Sequence, residues 1–252
     1  MIRTERFDEL PGVGVVVLDR PDQRNAMDER MLRDLSLELG AMGADETVRC
    51  VVLRGEGRVF SAGFDLPACL DDPDRLHAML LALADVCATV KRLRVPVVCA
   101  AHGAAIAGAC ALASSCDLVI TDRAAKIGYP VVTIGVSPAI SGPTLERAVG
   151  AGRARERLLD PALITGERAR EIGLASLCVD LPEDVTPRAH IEAKKLADKP
   201  AHSVQRTKAW MNEVEGLDVD DELERARDAS LAIVGSEEQR RLLASVLESR
   251  KK

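Results

Sequence analysis

The chain has 252 residues and a formal net charge of −6, from 34 basic and 40 acidic side chains. It is 47% hydrophobic but only 2% aromatic, so its core must be built mainly from aliphatic side chains. The acidic balance and the scarcity of rings exclude a phosphate-backbone binder and a module that stacks on bases, so we expect no nucleic-acid partner.

Predicted strands and helices alternate through most of the chain. Asp28 can cap a helix that runs to Leu39, and further helices are predicted at Pro73–Leu93 and Gly108–Ser115. This alternation predicts an α/β fold whose parallel sheet is covered on both faces. The strands, each predicted by a short apolar run, are Val13–Leu18, Cys50–Leu53, Val95–Ala101, Leu118–Thr121 and Leu177–Val179.

The pattern changes after about residue 185, where only helices are predicted. We therefore divide the chain into a core of residues 1–185 and a helical region of residues 186–252, which packs on the core or on a neighbouring subunit. Gly216 and Gly235 punctuate this region. Its predicted helices are Pro187–Asp198, Ser203–Val214, Val219–Val234 and Ser236–Arg250.

The cysteines and the apolar segments favour a cytoplasmic protein. None of the seven cysteines forms a Cys-x-x-Cys pair and the four histidines show no ligand spacing, so we expect reduced thiols and no metal site. Val95–Ala113 is apolar but contains Pro96 and His102, which favours a strand, a turn and a buried helix over a membrane span. Met1–Glu9 has acidic residues and no apolar run, so we do not expect a signal peptide.

Two glycine-centred loops are the candidates for chemistry. Phe60–Leu66 follows a predicted strand, and His102–Cys110 connects a buried strand to a helix. Small residues let the backbone approach a ligand, and the N–H groups at a helix start are unpaired and lie at the positive end of the helix dipole. Together such loops can form an oxyanion hole, although each alone is more typical of a tight turn that packs a sheet against a helix.

Five motifs occur in one order along roughly residues 10–180. They are Leu18–Pro21 with Asn25–Met27, Val59–Leu66 with its Ala62-Gly63-Phe64-Asp65 run, Pro96–Asp117, Gly128–Pro138 and Leu163–Leu174. This order resembles the crotonase superfamily, also called the enoyl-CoA hydratase/isomerase family. The resemblance implies a spiral of ββα units with a C-terminal helical region that forms trimers, often stacked as hexamers.

The same resemblance implies an acyl-CoA thioester as ligand and no separate cofactor, because CoA enters as part of the substrate. By motif position, the backbone N–H groups of Phe64 and Gly108 would hold the thioester oxygen, and the second lies at a predicted helix start. The further substrate-binding positions that the motifs imply are Arg24, Ala26, Ala62, Asp65, Leu66, Ala111 and Val131.

The chain departs from the family where its hydratases carry two glutamates. By motif position these fall on Ala111 and Val131, and a third acid position of some isomerases falls on Ala139. Because alkyl side chains cannot transfer a proton at any pH, we expect an acyl-CoA site without the usual acid/base pair. The substitutions also make the pocket more apolar and roomier, which fits a bulky or apolar acyl group.

Three functions remain open. The first is an enzyme with divergent chemistry, an isomerase, decarboxylase or similar, with Tyr129 as the candidate proton donor and weaker claims for Ser137, Ser141 and Asp65. The second is a non-catalytic acyl-CoA-binding protein. The third is a thioester hydrolase, although Gly135–Ala139 ends in alanine and so lacks the Gly-x-Ser-x-Gly motif.

Basic and imidazole side chains complete the predictions. CoA carries three phosphate groups, and Arg24 is the candidate to contact them. Arg250–Lys252 could reach a neighbouring subunit's ligand, although a solvated tail is the simpler interpretation. His102 is expected to be structural, whereas three histidines on predicted helices are expected at the surface. Those three are His77, His190 and His202.

Overall fold

A computed structural model of the protein describes residues 1–69, 72–214 and 219–249. Its main sheet has six strands in the spatial order β1-β2-β3-β4-β6-β9, and a smaller sheet has the order β5-β7-β8. The strands are β1 (Ile2–Glu5), β2 (Val13–Leu18), β3 (Cys50–Gly55), β4 (Val97–Ala101), β5 (Ala104–Ile106), β6 (Leu118–Asp122), β7 (Lys126–Gly128), β8 (Ile164–Thr165) and β9 (Leu177–Val179).

Helices follow most of the strands and then dominate the C-terminal part. They are α1 (Glu29–Ala44), α2 (Pro73–Arg92), α3 (Gly108–Ser115), α4 (Gly142–Val149), α5 (Ala151–Leu159), α6 (Gly166–Glu171), α7 (Val185–Ala197), α8 (Ala201–Val214), α9 (Val219–Leu231) and α10 (Glu237–Ser249). Asp28 caps α1 as predicted, because its Oδ1 accepts a hydrogen bond from the Met31 N–H at 2.8 Å. Gly235 lies in the turn before α10, whereas Gly216 lies outside the described residues.

The main sheet is parallel except at one edge. Strands β2, β3, β4, β6 and β9 pair in parallel, and β1 pairs antiparallel with β2. All six residues of β2 and all five of β4 are buried, because helices cover both faces of the sheet. The predicted α/β fold with a doubly covered parallel sheet is therefore confirmed.

Different helices cover the two faces of this sheet. One face, which includes Val16 and Leu53, packs in one hydrophobic cluster with side chains from α1, α2 and α3. The other face packs against α7 through Ala189 and Ala193. The first helix of the predicted helical region thus lies on the core, while α9 contacts α2, and α10 contacts the 130–134 turn.

His190 of α7 is more enclosed than the sequence suggested. The side chain is half-buried, and its ring centroid lies 5.7 Å from that of Phe7. Its Nε2 atom is buried and has no hydrogen-bond partner within the described part of the chain. His190 was expected at the surface, but it is half-buried because α7 packs flat on the main sheet. His77 and His202 are exposed.

The cysteines, the histidines and the helices limit what the fold can hold. All seven cysteines are free thiols, and six of them are buried. Across the described ranges, no group of three or more His, Cys, Asp or Glu side chains is arranged to hold a metal ion. No helix in those ranges has the length and apolar character needed to cross a membrane.

Candidate functional site

The two glycine-centred loops run side by side in the folded chain. Ser61 and Ala105 form a parallel bridge, in which the Ser61 N–H donates to the Ala104 carbonyl at 3.0 Å and the Ile106 N–H donates to the Ser61 carbonyl at 3.2 Å. Continued for three residues, this register places Phe64 level with Gly108. The loops predicted to act together therefore lie together.

The Phe64 ring lies directly against Gly108. A Cβ atom added to Gly108 would be 3.0 Å from Cε1 of the Phe64 ring and 3.3 Å from Cδ2 of Leu83, so this position has little room for a side chain. Gly63 has φ +90°, and a Cβ there would be 2.8 Å from the Ile106 carbonyl oxygen. Glycine at both positions thus allows the close approach of the two loops.

The N–H groups of Phe64 and Gly108 are unpaired within the described part of the chain. Neither donates a hydrogen bond to another described group of the chain. Gly108 is the first residue of α3, so its N–H points out of the helix start, where the helix dipole is positive. Two such donors beside one another match the requirement for holding a developing oxyanion.

Ala107, immediately before Gly108, has an uncommon backbone conformation. Its φ of 53° and ψ of −113° lie outside the regions that non-glycine residues ordinarily occupy. Its N–H donates to the Gly128 carbonyl at 2.8 Å, which ties the start of α3 to the end of β7. Strain of this kind is held in place by its surroundings and is typical of functional sites.

Asn25 fixes the loop that carries Phe64. The side chain is fully buried, and its amide Nδ2 lies within hydrogen-bond distance of three carbonyl oxygens, those of Glu56 at 2.8 Å, Val59 at 2.9 Å and Phe60 at 3.1 Å. In return, the Ser61 hydroxyl donates to the Asn25 carbonyl at 2.7 Å. One polar side chain thus organises the entire turn before the first unpaired N–H.

Asp65 takes part in the same scaffold. Its carboxylate accepts from one guanidinium nitrogen of Arg20 at 3.1 Å, and the other terminal nitrogen of that guanidinium donates to the Ala26 carbonyl at 2.8 Å. The Arg24 carbonyl accepts from the Ala62 N–H at 2.9 Å, while the Arg24 side chain is exposed. These contacts hold Asp65 and Ala26 within the turn.

A cavity of about 130 Å³ opens beside the two unpaired N–H groups. Three leucines of α2 and Val246 of α10 line it, and sequence analysis did not identify these residues as part of the site. Within the described residues, no Asp, Glu, His, Lys or Arg side chain lines the cavity. The predicted site residues that do line it are Ala62, Phe64, Leu66, Gly108, Tyr129 and Val131, together with the weaker candidates Ser137 and Ser141.

The remaining predicted positions lie outside this lining. Ala111, a residue of α3, is 1% exposed and belongs to the hydrophobic core. Ala139 does not line the cavity, although the next two residues, Ile140 and Ser141, do. The expected structural role of His102 fits its position, because its Nε2 lies 3.0 Å from the Gly57 carbonyl oxygen. The cavity is therefore walled mainly by aliphatic groups.

Comparison with known proteins identifies the family. The enoyl-CoA hydratase/isomerase family model matches residues 8–251. The chain belongs to this family. It is 30% identical to the crotonyl-CoA hydratase of Syntrophomonas wolfei over 243 residues, which cover 95% of this chain and 93% of that protein.

Solved structures of the enoyl-CoA hydratase/isomerase family share the fold. One from Mycobacterium paratuberculosis has a TM-score of 0.87 and 27% identity, covering 97% of each chain. One from Xanthobacter autotrophicus has a TM-score of 0.87 and 29% identity, covering 98% of this chain and 93% of the other. The crotonase fold expected from the motif order is confirmed by these structures.

Among the described residues that line the cavity, Tyr129 is the most deeply buried polar side chain. Its side chain is 1% exposed, and burial raises the pKa of the phenol well above its ordinary value, so the group stays neutral. Cys110, Ser114 and Ser141 lie near the hydroxyl, but none of them meets hydrogen-bond geometry with it. Burial also raises the pKa of the Cys110 thiol to about 12.

Proposed function

We propose that this member of the enoyl-CoA hydratase/isomerase family binds acyl-CoA thioesters and holds the thioester oxygen between the N–H groups of Phe64 and Gly108. The observation that carries the proposal is the pair of unpaired N–H groups beside an aliphatic cavity. The similarity to a crotonyl-CoA hydratase supports the ligand class. CoA enters as part of the ligand, so the proposal needs no further cofactor.

The reaction that fits the cavity best is one driven by stabilising an enolate. Each N–H donor of an oxyanion hole is typically worth about 3–4 kcal/mol of barrier. Addition of water also needs a general base and a general acid, and the described lining offers neither a carboxylate nor an imidazole. We therefore place decarboxylation or a similar step, which needs no general base, ahead of standard hydration, with Ala111 and Val131 at the glutamate positions. Isomerisation ranks after decarboxylation, because it also moves a proton between two carbons.

Decarboxylation of a malonyl-type thioester illustrates how little else is required. The bond between the α-carbon and the carboxylate breaks, and its electron pair moves towards the thioester oxygen to form the enolate. Carbon dioxide leaves, and the α-carbon then takes up a proton. The neutral Tyr129 phenol is our candidate for the donor.

Two alternatives share the binding step. A non-catalytic acyl-CoA-binding protein would use the same N–H groups and turn over nothing. A thioester hydrolase would need a serine activated by a base, and Ser137 and Ser141 line the cavity without a carboxylate or imidazole in the described lining beside them. The hydrolase is therefore the weaker alternative.

The surface suggests how CoA and other subunits are accommodated. We propose that exposed Arg24 contacts a CoA phosphate; Arg250–Lys252, the other candidate, lies outside the described residues. We also propose a homotrimer, alone or as a hexamer of two trimers. Three apolar side chains exposed on α8 support an interface, namely Trp210 at 54%, Met211 at 47% and Val214 at 58% exposure. Light scattering in solution should report a trimer or a hexamer, and a monomer would contradict this assembly.

Two assays test the proposal. The absorbance of the conjugated thioester in crotonyl-CoA should stay almost unchanged in the presence of the protein. Rapid loss of this absorbance would show hydration and would contradict the proposal that the acid/base pair is missing. A thermal-shift panel of CoA thioesters should raise the unfolding midpoint, with free CoA as the matched control. A ligand at about 100 times its Kd stabilises a protein by about 2.7 kcal/mol, which is easily measured. No shift with any thioester would overturn the ligand class.

A further inference from the structure

Among the described residues, α2 contributes three leucines to the cavity and no other lining side chain. Leu76, Leu80 and Leu83 stand at positions i, i+4 and i+7, so they lie on one face of the helix, and they are 1%, 3% and 3% exposed. The hydroxyl groups of the described lining all come from the segment of residues 129–141, which supplies Tyr129 and three serine or threonine side chains. The cavity therefore has an apolar side along α2 and another side that carries the hydroxyls.

One end of this row of leucines lies at the unpaired N–H groups. A Cβ atom added to Gly108 would be 3.3 Å from Cδ2 of Leu83 and 3.0 Å from the Phe64 ring, so Leu83 lies beside the proposed position of the thioester. An α-helix rises about 1.5 Å per residue, which places Leu80 about 4.5 Å and Leu76 about 10 Å further along the helix axis. Leu76 is thus the leucine of the row that lies furthest from the N–H pair.

The burial of this row decides which part of a bound thioester lies along it. CoA carries three phosphate groups, and such charged groups need water or ionic partners, so the CoA arm must leave towards solvent. The three leucines are buried, and the described lining contains no Lys, Arg or His side chain. The apolar acyl chain is therefore the part that fits along α2, with its first carbons at Leu83 and its end towards Leu76.

We propose that Leu76 and Leu80 limit the length of the acyl chain, so that the preferred ligands are CoA thioesters of short aliphatic acyl groups. This inference rests on the proposed function, because the thioester oxygen must lie at the N–H groups of Phe64 and Gly108. A cavity of about 130 Å³ is close to the engineered cavity of about 150 Å³ in another protein that holds benzene, so it takes an acyl group of about six carbons or fewer. Ala111 lies outside the lining, so its small side chain adds no room, and the acyl group is short rather than bulky.

Titration calorimetry on the whole protein tests the inference with butyryl-CoA and octanoyl-CoA, which differ only in the length of a linear acyl chain. Each methylene group that is buried in a cavity with room for it gains about fourfold in affinity. The wild-type cavity ends at Leu76, so octanoyl-CoA should bind no more tightly than butyryl-CoA. Leu76→Ala shortens the side chain at the end of the row, so it should raise the ratio of octanoyl-CoA to butyryl-CoA affinity at least about tenfold.

Two control variants separate the end of the row from its start and from the rest of the core. Leu83→Ala makes the same truncation beside the thioester, so it should change the affinity ratio by less than about fourfold, the value of one methylene group. Leu35→Ala makes it in α1, where the side chain is 0% exposed, belongs to the same hydrophobic cluster and does not line the cavity. This second control should lower the unfolding midpoint, as truncations of buried leucines do, and keep the wild-type ratio.

A milder variant keeps the test available if Leu76→Ala does not fold. Leu76→Val removes one methylene group from the same side chain, so it should raise the affinity ratio by about fourfold. An unchanged ratio in a folded Leu76→Val protein would overturn the inference.

Contrary results with these thioesters separate the inference from the proposed function. If the wild-type protein binds octanoyl-CoA more than about tenfold more tightly than butyryl-CoA, the cavity does not end at Leu76, and the inference is overturned while the proposed function stands. The same holds if Leu83→Ala raises the ratio as much as Leu76→Ala does, or if neither variant raises it. If neither thioester binds to the wild-type protein, the proposed function fails and the inference fails with it.

Discussion

Asn25→Ala should destabilise the protein and weaken thioester binding together. The substitution removes a fully buried amide whose two N–H hydrogens are shared among three carbonyl oxygens and whose Oδ1 accepts from the Arg20 N–H at 2.9 Å. At about 1 kcal/mol for each of the two donated bonds and the accepted one, their loss lowers the free energy of unfolding by about 3 kcal/mol. Alanine at φ 52° adds about 1 kcal/mol, because its Cβ disfavours the left-handed region that asparagine tolerates.

Asn25→Gly separates these two contributions. Glycine also removes the hydrogen bonds but accepts a positive φ, so this variant should be about 1 kcal/mol more stable than Asn25→Ala. Denaturant unfolding gives both free energies, and calorimetry with butyryl-CoA reports whether the loop that carries Phe64 still binds. A loss of less than about 1 kcal/mol for Asn25→Ala, or unchanged thioester affinity, would refute the role assigned to this side chain.

Three further perturbations have defined outcomes. Lys208→Met should lower the free energy of unfolding by about 2–3 kcal/mol, since it leaves Asp117 without the ammonium group 2.8 Å away, and Asp117→Asn in the same chain should recover part of the loss. Burial lowers the pKa of His190 below its ordinary 6.5, so the unfolded chain binds the proton first as the pH falls below 6.5 and stability drops; His190→Phe should flatten that drop in unfolding curves. Gly166→Ala should lose about 3 kcal/mol in denaturant unfolding, because its Cβ would overlap the Asp122 carbonyl oxygen; a stable variant would contradict this.

The sequence predicted the main sheet because its strands are continuous apolar runs. β2, β4 and β6 coincide with predicted strands to within two residues, and α3 has the predicted bounds of Gly108–Ser115. These elements are covered on both faces, so their composition alone identifies them. The motif order then brought together the Phe64 and Gly108 loops, which lie far apart in the chain.

Other elements carried no such signal. β1 is a four-residue edge strand whose Arg3 and Glu5 face ionic partners, and the strands of the small sheet are only two or three residues long. Helices α4 to α6 are only six to nine residues long, so each offers too few turns for a helical repeat to stand out in the sequence. Such elements form because of tertiary contacts, which a single sequence does not display.

Part of the candidate site was also hidden. The sequence predicts a helix at Pro73–Leu93 but does not show which wall its leucines form, and the structure places Leu76, Leu80 and Leu83 along the cavity. Val246 reaches it from a helix far along the chain. The importance of Asn25 follows from the carbonyl groups that converge on its amide, and this convergence exists only in the folded chain.

The most direct test of the account is the isotope-edited infrared spectrum of butyryl-CoA bound to the protein, recorded at the thioester carbonyl. If the N–H groups of Phe64 and Gly108 hold the oxygen, the carbonyl stretch should move to lower frequency than for the same thioester in water, because two preorganised donors polarise the bond. A bound thioester whose carbonyl stretch stays at or above its frequency in water would contradict the central claim.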